Sequence, residues 1–298
     1  MRTYLECIPC FFKQGIESAK ILGVDRKIQK RIVDEISRVI PSFPLASSPP
    51  EMEKIIHDII KRNLKKDVPY EKLKKKSNRV ALSIYGKLKE KVKDSKDSLL
   101  TALELSIAGN IIDYGANHTV QPEKEVFRIL KEENSMLNKR LFHYTDFKRR
   151  VKHSNLILLI GDNAGEIVFD RLLIEELKTL YPAKRLVYAV REEPVINDVT
   201  IEDALFVEID KTADIVSSGS DIPGTLLSQC DKNFIDLFNS ADLIMSKGQG
   251  NFETLSHEPA PAFFLLTVKC PVVGSTLGAG IGDVILTTSK RKNRPGQN

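Results

Sequence analysis

The residues with the clearest chemical potential lie in one stretch, Leu156 to Glu166, which spells LILLIGDNAGE. An apolar run passes through Gly161 and ends at two neighbouring oxygen donors, Asp162 and Asn163. The glycines of the stretch allow backbone and ligand to approach closely, and hard divalent cations prefer carboxylate and amide oxygens. The stretch therefore predicts a strand that delivers two metal ligands to the turn after it.

Four later apolar runs also stop at charged, amide or glycine residues. They are followed by Arg191 with Asn197 and Asp198, by the turn 217–224, by Lys247 with Gly248, and by Lys269 with Cys270. Apolar runs that alternate with helical stretches are typical of a mostly parallel α/β sheet. Because the carboxyl ends of parallel strands share one edge, we expect these clusters to lie together.

The chemistry of this predicted edge is mixed. Its oxygen donors favour Mg²⁺ or Mn²⁺, and its cations and glycine N–H groups favour phosphate. A single aspartate after a strand more often only caps the next helix, so the inference depends on the coincidence of all five clusters. Together they predict a metal-assisted phosphoryl site.

The elements that must position this edge divide the chain in two. Helical patterns dominate the first half, and alternating apolar runs begin at Asn155. We predict a helical N-terminal region over residues 1–150 and an α/β metal- and phosphate-binding domain over 151–298, whose basic tail from about 289 is frayed.

A helix over 99–117 is apolar all round, which indicates burial. Its Asn110 and Asp113 are three residues apart and so share a face. Either they cap the helix end before Gly115, or they lend polar groups to the site at Asp162. In the second case Asn110 is a candidate for substrate binding.

Two cysteines, Cys7 and Cys10, form a CxxC sequence before a helical stretch. Such a pair can hold a metal, act as a redox pair, or place a thiolate at the positive end of the helix dipole. No second Cys or His pair follows at zinc-finger spacing. Burial of both as small apolar residues under the next two phenylalanines is equally compatible with the sequence.

Composition restricts the function classes. The chain has 298 residues, 42% hydrophobic and 29% charged, with a formal charge of +5. This is an ordinary globular composition, and its scattered basic residues argue against nucleic acid as a partner. We expect no signal peptide, no membrane span and a cytoplasmic location, because the N-terminus lacks an apolar core and no apolar run reaches the roughly 18 residues of a spanning helix.

Several well-known catalytic patterns are absent from the sequence. It has no GxxxxGK[ST] loop, no GxGxxG turn after a strand, and no GxSxG elbow. These absences argue against a P-loop NTPase, a standard dinucleotide site and a serine hydrolase.

Six segments in order resemble the motifs of the DUF89, or damage-control phosphatase, family. They are ECIPC (6–10), AGNIIDYG (108–115), GDNAGE (161–166), REEPVINDVT (191–200), SGSDIPG (218–224) and SKGQGNFE (246–253). The resemblance extends to about Thr288, and the paired cysteines are similar to subgroup I of the family. The RTxK-type signature of the sugar-phosphate subgroup is not found, so specificity for fructose phosphate is not implied.

The resemblance implies a helical N-terminal region packed on a three-layer α/β domain. It also implies a phosphatase, dependent on a divalent metal ion (Mn²⁺, Ni²⁺, Co²⁺ or Mg²⁺), that acts on small phosphorylated metabolites such as damaged or overflow sugar phosphates and nucleotides. The family's metal ligands correspond to Asp162, Asn163 and Asp198, and its substrate-facing lysine to Lys247. Subgroup I members are thought to need the CxxC, which makes Cys7 and Cys10 candidate catalytic residues.

The leading hypothesis is hydrolysis of a phosphomonoester at this edge. Asp162, Asn163 and Asp198 hold the metal ion, while Lys247, Arg191 and Gly248 bind the substrate phosphate. The nucleophile is either a metal-activated water or the Asp162 carboxylate. Glu166 either orients that water or only begins the next helix.

Two other hypotheses stay open at this point. An α/β sheet with an acidic glycine turn can hold S-adenosylmethionine in a methyltransferase, although that leaves the lysines without a role. The chain can also be a non-catalytic binder of phosphometabolites in which the CxxC is a structural clip.

Overall fold

The structure is a computed structural model that describes residues 1–64, 70–109, 139 and 141–288. The α-helices in these ranges are α1 Ile8–Ile21, α2 Arg26–Val39, α3 Pro49–Leu64, α4 Tyr70–Leu82, α5 Tyr85–Lys93, α6 Ser98–Ala108, α7 Tyr144–His153, α8 Glu166–Leu180, α9 Ile201–Phe206, α10 Lys232–Ser240, α11 Gln249–Leu255 and α12 Pro271–Leu277. The strands are β1 Leu141–Phe142, β2 Leu156–Ile160, β3 Arg185–Val190, β4 Asp214–Ser217, β5 Leu243–Lys247, β6 Ala262–Thr267 and β7 Val284–Thr288.

The described strands form one sheet of seven, in the order β1-β7-β6-β5-β2-β3-β4. Strands β2 to β6 are mutually parallel. Strand β7 is antiparallel to β6 and pairs in parallel with β1. The predicted mostly parallel α/β sheet is confirmed, and the five apolar runs of the sequence are its five parallel strands. Their carboxyl ends lie along one edge.

Helices cover both faces of the sheet, so the domain has three layers. Side chains alternate along β5: Leu243 and Met245 join the core under α6 and α8, whereas Ile244 joins the core under α10, α11 and α12. This alternation is the two-residue period of a strand buried on both faces.

The N-terminal helices divide between two positions. Helices α1, α2 and α3 enclose a small apolar core of their own, which includes Phe11, Ile32 and Ile56. Helices α4, α5 and α6 belong instead to the main core on one sheet face. The strand β1 and the start of α7 also lie before residue 150, so sheet and helices interleave around the expected boundary.

Local capping follows the sequence. Asp25 accepts a hydrogen bond from the backbone N–H of Ile28 at the start of α2 (2.9 Å), and Asp97 does the same for Leu100 at the start of α6 (3.1 Å). Asp97 also accepts from the Tyr144 hydroxyl (2.7 Å), which ties α6 to α7.

Two of the expectations from the sequence fall on residues outside the described ranges, and a third concerns helices that could span a membrane. Asn110 and Asp113 lie outside the described residues, as does the basic tail from 289. None of the helices in the described ranges has the length and apolar character that crossing a membrane requires.

Candidate active site

The turn after β2 and the loop after β3 are joined by backbone hydrogen bonds. The Asp162 carbonyl accepts from the N–H of Val199 (2.9 Å), and the N–H of Ala164 donates to the Asn197 carbonyl (2.9 Å). Asn163 and Asp198 face each other in an isolated antiparallel bridge. Two segments 35 residues apart in sequence (198 minus 163) are thus held as one unit.

This pairing brings the three predicted metal ligands together. Asp162, Asn163 and Asp198 are each less than one-tenth exposed, at 8%, 6% and 5%. The Asn163 amide Nδ2 donates to Asp162 Oδ2 (2.8 Å), which fixes both side chains. The set consists of two carboxylates and one amide oxygen, a hard donor set suited to Mg²⁺ or Mn²⁺.

The donor set is small for a metal site. No group of three or more His, Cys, Asp or Glu side chains with the arrangement of a metal site occurs in the described part of the chain. A cation at this position would therefore depend on the Asn163 amide, and water or substrate oxygens would complete its coordination. With that completion, the residues fit a hard divalent ion.

The Asp162 carboxylate packs directly against Gly248, in the place that a side chain on this residue would occupy. A Cβ atom on Gly248 would lie 1.9 Å from Asp162 Oδ2, and its φ of 79° is itself unfavourable for other residues. The N–H of Gly248 donates to the Leu265 carbonyl (3.0 Å). Gly248 therefore acts through its missing side chain, and its N–H is already used within the sheet.

Arg191 is fully buried and supports the metal-ligand candidate Asp198. Its Nε donates to Asp198 Oδ2 (2.9 Å), Nη1 to the Thr225 hydroxyl (2.8 Å) and Nη2 to Asn251 Oδ1 (2.9 Å). A carboxylate oriented by a buried partner is typical of metal sites, where outer contacts fix the ligands. All three nitrogens of this guanidinium donate to protein groups.

Asn251 is a site residue that the sequence analysis missed. Its Nδ2 donates to the carbonyls of Gly161 (3.1 Å) and Lys247 (2.7 Å), while its Oδ1 accepts from Arg191. One completely buried amide thus joins the ends of β2 and β5 to the arginine beside β3. In the sequence, the one indication of this role was its position in the SKGQGNFE segment (246–253), which begins at the end of β5.

The side chain of Lys247 is buried in the core between the sheet and the helices α6 and α8. Its ammonium donates to Glu166 Oε1 (2.6 Å), to Asp170 and to the Ser106 carbonyl (2.9 Å), with no exposed surface. Asp170 also accepts from the hydroxyls of Ser106 (2.7 Å) and Tyr188 (2.9 Å). We call Lys247, Glu166, Asp170, Tyr188 and Ser106 the buried ion cluster.

Ionisation within this cluster is strongly shifted. Burial raises the pKa of Glu166 to about 7; Lys247 opposes this rise and Asp170 adds to it. Burial alone would lower the pKa of Lys247, but the carboxylates of Asp170 and Glu166 hold it above its usual value. Burial and Asp170 raise the pKa of Tyr188 well above its usual value. The ammonium therefore stays charged, and Glu166 titrates near neutrality.

A second hydrogen-bond network, which the sequence analysis also missed, connects the turn after β2 to the helix α4. The N–H of Gly165 donates to Asn78 Oδ1 (2.6 Å), whose Nδ2 donates to Asp203 (3.0 Å). Asp203 also forms a buried ion pair with Lys74 (2.6 Å). Helix α4 therefore contributes directly to the positions of both loops, although nothing in its own pattern distinguishes Asn78 from a surface residue.

Lys269 and Cys270 follow β6 and contact Gln249, the residue after Gly248. The N–H of Lys269 donates to Gln249 Oε1 (3.3 Å), and Lys269 is near enough to lower the pKa of Glu166. Gln249 also donates to Glu253 (3.0 Å) and to the Cys270 sulfur (3.5 Å). Cys7 is buried just before α1, and Cys10 is exposed in its first turn.

The chain is similar to known proteins over nearly its whole length. Residues 3–285 match the family described as the damage-control phosphatase ARMT1-like domain. A damage-control phosphatase of Pyrococcus horikoshii is 31% identical over 98% of this chain and 100% of its own length, and one of Archaeoglobus fulgidus is 32% identical over 94% and 96%. An uncharacterized protein of Methanocaldococcus jannaschii is 35% identical over 94% and 93%.

The fold agrees with a solved structure. The crystal structure of a DUF89 family protein from Pyrococcus horikoshii superposes with a TM-score of 0.86 at 30% sequence identity. The match covers 97% of this chain and 100% of that one.

Replacing Gly248 tests the close approach at Asp162. We expect Gly248→Ala to lower the free energy of unfolding by about 3 kcal/mol, because a methyl group must displace the Asp162 carboxylate and the backbone is strained. Urea unfolding of Gly278→Ala is the control: φ is 68° there but nothing lies within 4 Å, so strain alone should cost about 1 kcal/mol. Equal losses in the two variants would contradict the packing role.

Replacing Lys247 tests the buried ion cluster. We expect Lys247→Met to lower the free energy of unfolding by about 3–5 kcal/mol at pH 8, since Glu166 and Asp170 keep buried charge without a counterion. Without the lysine the folded pKa of Glu166, already about 7, rises further above its unfolded value, so the loss is full at high pH and shrinks as pH falls towards 5. Urea titrations at both pH values measure this.

The matched control is Lys30→Met, which removes an exposed ion pair with Asp34. It should change stability by less than about 0.5 kcal/mol at either pH. A Lys247→Met loss as small as this, or one that grows on acidification, would contradict the proposed charge balance.

Proposed function

Because the chain belongs to the damage-control phosphatase ARMT1-like domain family, we propose that it is a metal-dependent phosphatase of small phosphorylated metabolites. The observation that carries the proposal is the bridge between Asn163 and Asp198, which gathers Asp162, Asn163 and Asp198 into one buried oxygen donor set. Relatives at 31% and 32% identity are named damage-control phosphatases, which supports the phosphatase role.

Asp162, Asn163 and Asp198 would hold the divalent ion. When bound, the ion supplies Lewis-acid stabilisation of negative charge on a phosphoryl oxygen. The residues of the chain provide position: Asn163 orients Asp162, and Arg191 orients Asp198. Gly248 leaves room for the Asp162 carboxylate, which a side chain at that position would displace.

Substrate phosphate also needs a cation from the protein. Lys247 and Arg191 were predicted for this role and remain candidates, but both are buried and bonded to protein groups. We propose that they act mainly as positioning residues, and that Lys269 at the end of β6 provides the direct contact. Lys269 is only partly buried and lies beside Gln249, next to Gly248.

Glu166 has a place in this scheme at the start of α8. Its carboxyl group has a pKa of about 7 and accepts a hydrogen bond from Lys247. Glu166 directly follows the turn that carries Asp162. A group that titrates near neutrality can exchange a proton with the site at little cost. In the folded protein it also begins the helix, so the two roles considered for it are compatible.

Removal of the donor set gives the first test of function. Full-length protein, stripped of metal with a chelator, should release phosphate from p-nitrophenyl phosphate only after Mg²⁺, Mn²⁺, Co²⁺ or Ni²⁺ is added. Asp162→Ala and Asp198→Asn should lower turnover at least about 100-fold, because the transition-state charge loses its electrostatic partner. Asp198→Asn keeps a side chain of the same shape beside Arg191.

Two controls define this experiment. Asp214→Ala removes an exposed carboxylate from the opposite edge of the sheet and should leave turnover unchanged. A metal that binds the folded state at 100 times its Kd should add about 2.7 kcal/mol of stability, so the melting temperature should rise in the wild type but not in Asp162→Ala. Full activity of Asp162→Ala would refute the site assignment.

A second test concerns Lys269. We expect Lys269→Met to raise KM for phosphate esters about tenfold with a smaller change in kcat, because it removes binding to charge already present in the ground state. Steady-state kinetics on sugar phosphates and nucleotides measure this split and also rank substrates. Lys232→Met, an exposed lysine at the start of α10, is the control; an unchanged KM in Lys269→Met would exclude the contact.

A further inference from the structure

Gln249 connects the ends of two neighbouring strands, β5 and β6. It directly follows Gly248, the residue against which the Asp162 carboxylate packs. Its side-chain oxygen Oε1 accepts a hydrogen bond from the backbone N–H of Lys269 (3.3 Å), and its Nε2 donates to the sulfur of Cys270 (3.5 Å). One amide group therefore holds two consecutive residues of the segment that follows β6.

The backbone of this segment leaves the sheet at Lys269. The N–H of Val268 still donates to the carbonyl of Asp283, just before β7 (3.0 Å), whereas the N–H of Lys269 is bonded to the side chain of Gln249. Cys270 is already the N-cap of α12. Lys269 thus lies between the end of a sheet contact and the start of a helix, and the bonds to Gln249 fix its backbone at that point.

Glu253 fixes the orientation of the Gln249 amide. The Nε2 of Gln249 also donates to Glu253 Oε1 (3.0 Å), one turn further along α11. Glu253 is buried; burial raises its pKa to about 7, and the hydrogen bond from Gln249 opposes this rise. An ionised carboxylate can only accept hydrogen bonds. The Nε2 end of the amide must therefore face Glu253, which leaves the Oε1 end for the N–H of Lys269.

We propose that Gln249 is a positioning residue that acts on the substrate through Lys269. This role rests on the proposed function, in which Lys269 contacts the substrate phosphate directly. A lysine binds phosphate as a point charge on a flexible stem, so ordering its backbone in advance lowers the cost of binding. Gln249 supplies that order relative to Gly248, and hence relative to the Asp162 carboxylate.

Hydrogen exchange tests the positioning role without substrate. Gln249→Met keeps the length of the side chain and removes both polar ends. In this variant we expect the Lys269 amide, followed by NMR, to exchange at least about ten times faster than in the wild type. Glu253→Gln is the matched control: its new amide oxygen still accepts from Nε2, so exchange should stay within about threefold. An unchanged exchange rate in Gln249→Met would overturn the proposal.

Kinetics test the consequence for substrate binding. We expect Gln249→Met to raise KM for p-nitrophenyl phosphate, and Kd for inorganic phosphate with Mg²⁺, at least about fivefold, with kcat changed less than about twofold. A variant that is merely destabilised would instead lower kcat, through loss of folded protein, and leave KM unchanged. Gln229→Met, at an exposed glutamine, should leave both constants unchanged.

A double-mutant cycle tests whether Gln249 acts through Lys269. Residues that act through one contact are not additive. We therefore expect Gln249→Met to change neither KM nor the Kd for phosphate when it is introduced into Lys269→Met. An equal rise in KM in the wild-type and Lys269→Met backgrounds would show that Gln249 acts independently, and would refute the positioning role.

An exchange of the two side chains provides a rescue variant. Gln249→Glu combined with Glu253→Gln reverses donor and acceptor between the two positions. The new carboxylate can accept from the new amide, from the N–H of Lys269 and from the Cys270 thiol. We expect this double variant to restore KM and the exchange rate of the Lys269 amide to within about threefold of the wild type. A double variant that behaves like Gln249→Met would contradict the orientation of the amide.

Failure of this proposal and failure of the proposed function give different results. If the wild type neither released nor bound phosphate with any metal, the proposed function would fail, while amide exchange would still decide whether Gln249 holds the segment after β6. If turnover depended on metal but Gln249→Met left KM unchanged, the positioning role alone would be refuted.

Discussion

The position of one ammonium group underlies the arrangement of the site. Lys247 is the last residue of β5, yet its charge lies among α6, α8 and β3, where Glu166, Asp170 and the Ser106 carbonyl accept its hydrogen bonds. A buried charge without partners would cost several kcal/mol, so these elements are held in one arrangement. Because Glu166 begins α8, the same contact fixes the turn that carries Asp162 and Asn163.

Arg191 has the corresponding function at the end of β3. Its three donors reach Asp198, Thr225 and Asn251, and Asn251 in turn bonds to the carbonyls of Gly161 and Lys247. The two cations thus stabilise the same edge of the sheet. Lys247 does so from the core between the sheet and the helices α6 and α8, and Arg191 does so from the loops that follow the strands. Such fully satisfied polar networks make a site rigid, and preorganised ligands need no rearrangement during the reaction.

The sequence predicted the strands and their shared edge because both depend on local pattern. Short apolar runs that alternate with helical stretches indicate the strands of a mostly parallel sheet, and functional groups follow the carboxyl ends of such strands. The direction of the Lys247 side chain was not predicted, although a signal existed: along β5 it shares the face of Leu243 and Met245. Glu166 and Asp170, four residues apart in an otherwise apolar helix, were a matching signal for its partners. The strand β7 and the Asn78 network depend on contacts between distant segments, which local periodicity does not encode.

The two buried cations at the strand ends are both paired with carboxylates of the protein. Lys247 is balanced by two carboxylates and Arg191 by Asp198, so the strand-end cations leave no net positive charge facing the donor set. An anionic phosphate ester that approached Asp162 and Asp198 would then meet repulsion, since like charges a few ångströms apart disfavour one another strongly in a buried site. A divalent cation held by the two carboxylates and Asn163 changes the sign of the local charge. Under the proposed function, metal binding is therefore a condition for substrate binding as well as for the reaction. Lys269, whose backbone N–H contacts Gln249, is the further cation that we propose for the substrate phosphate.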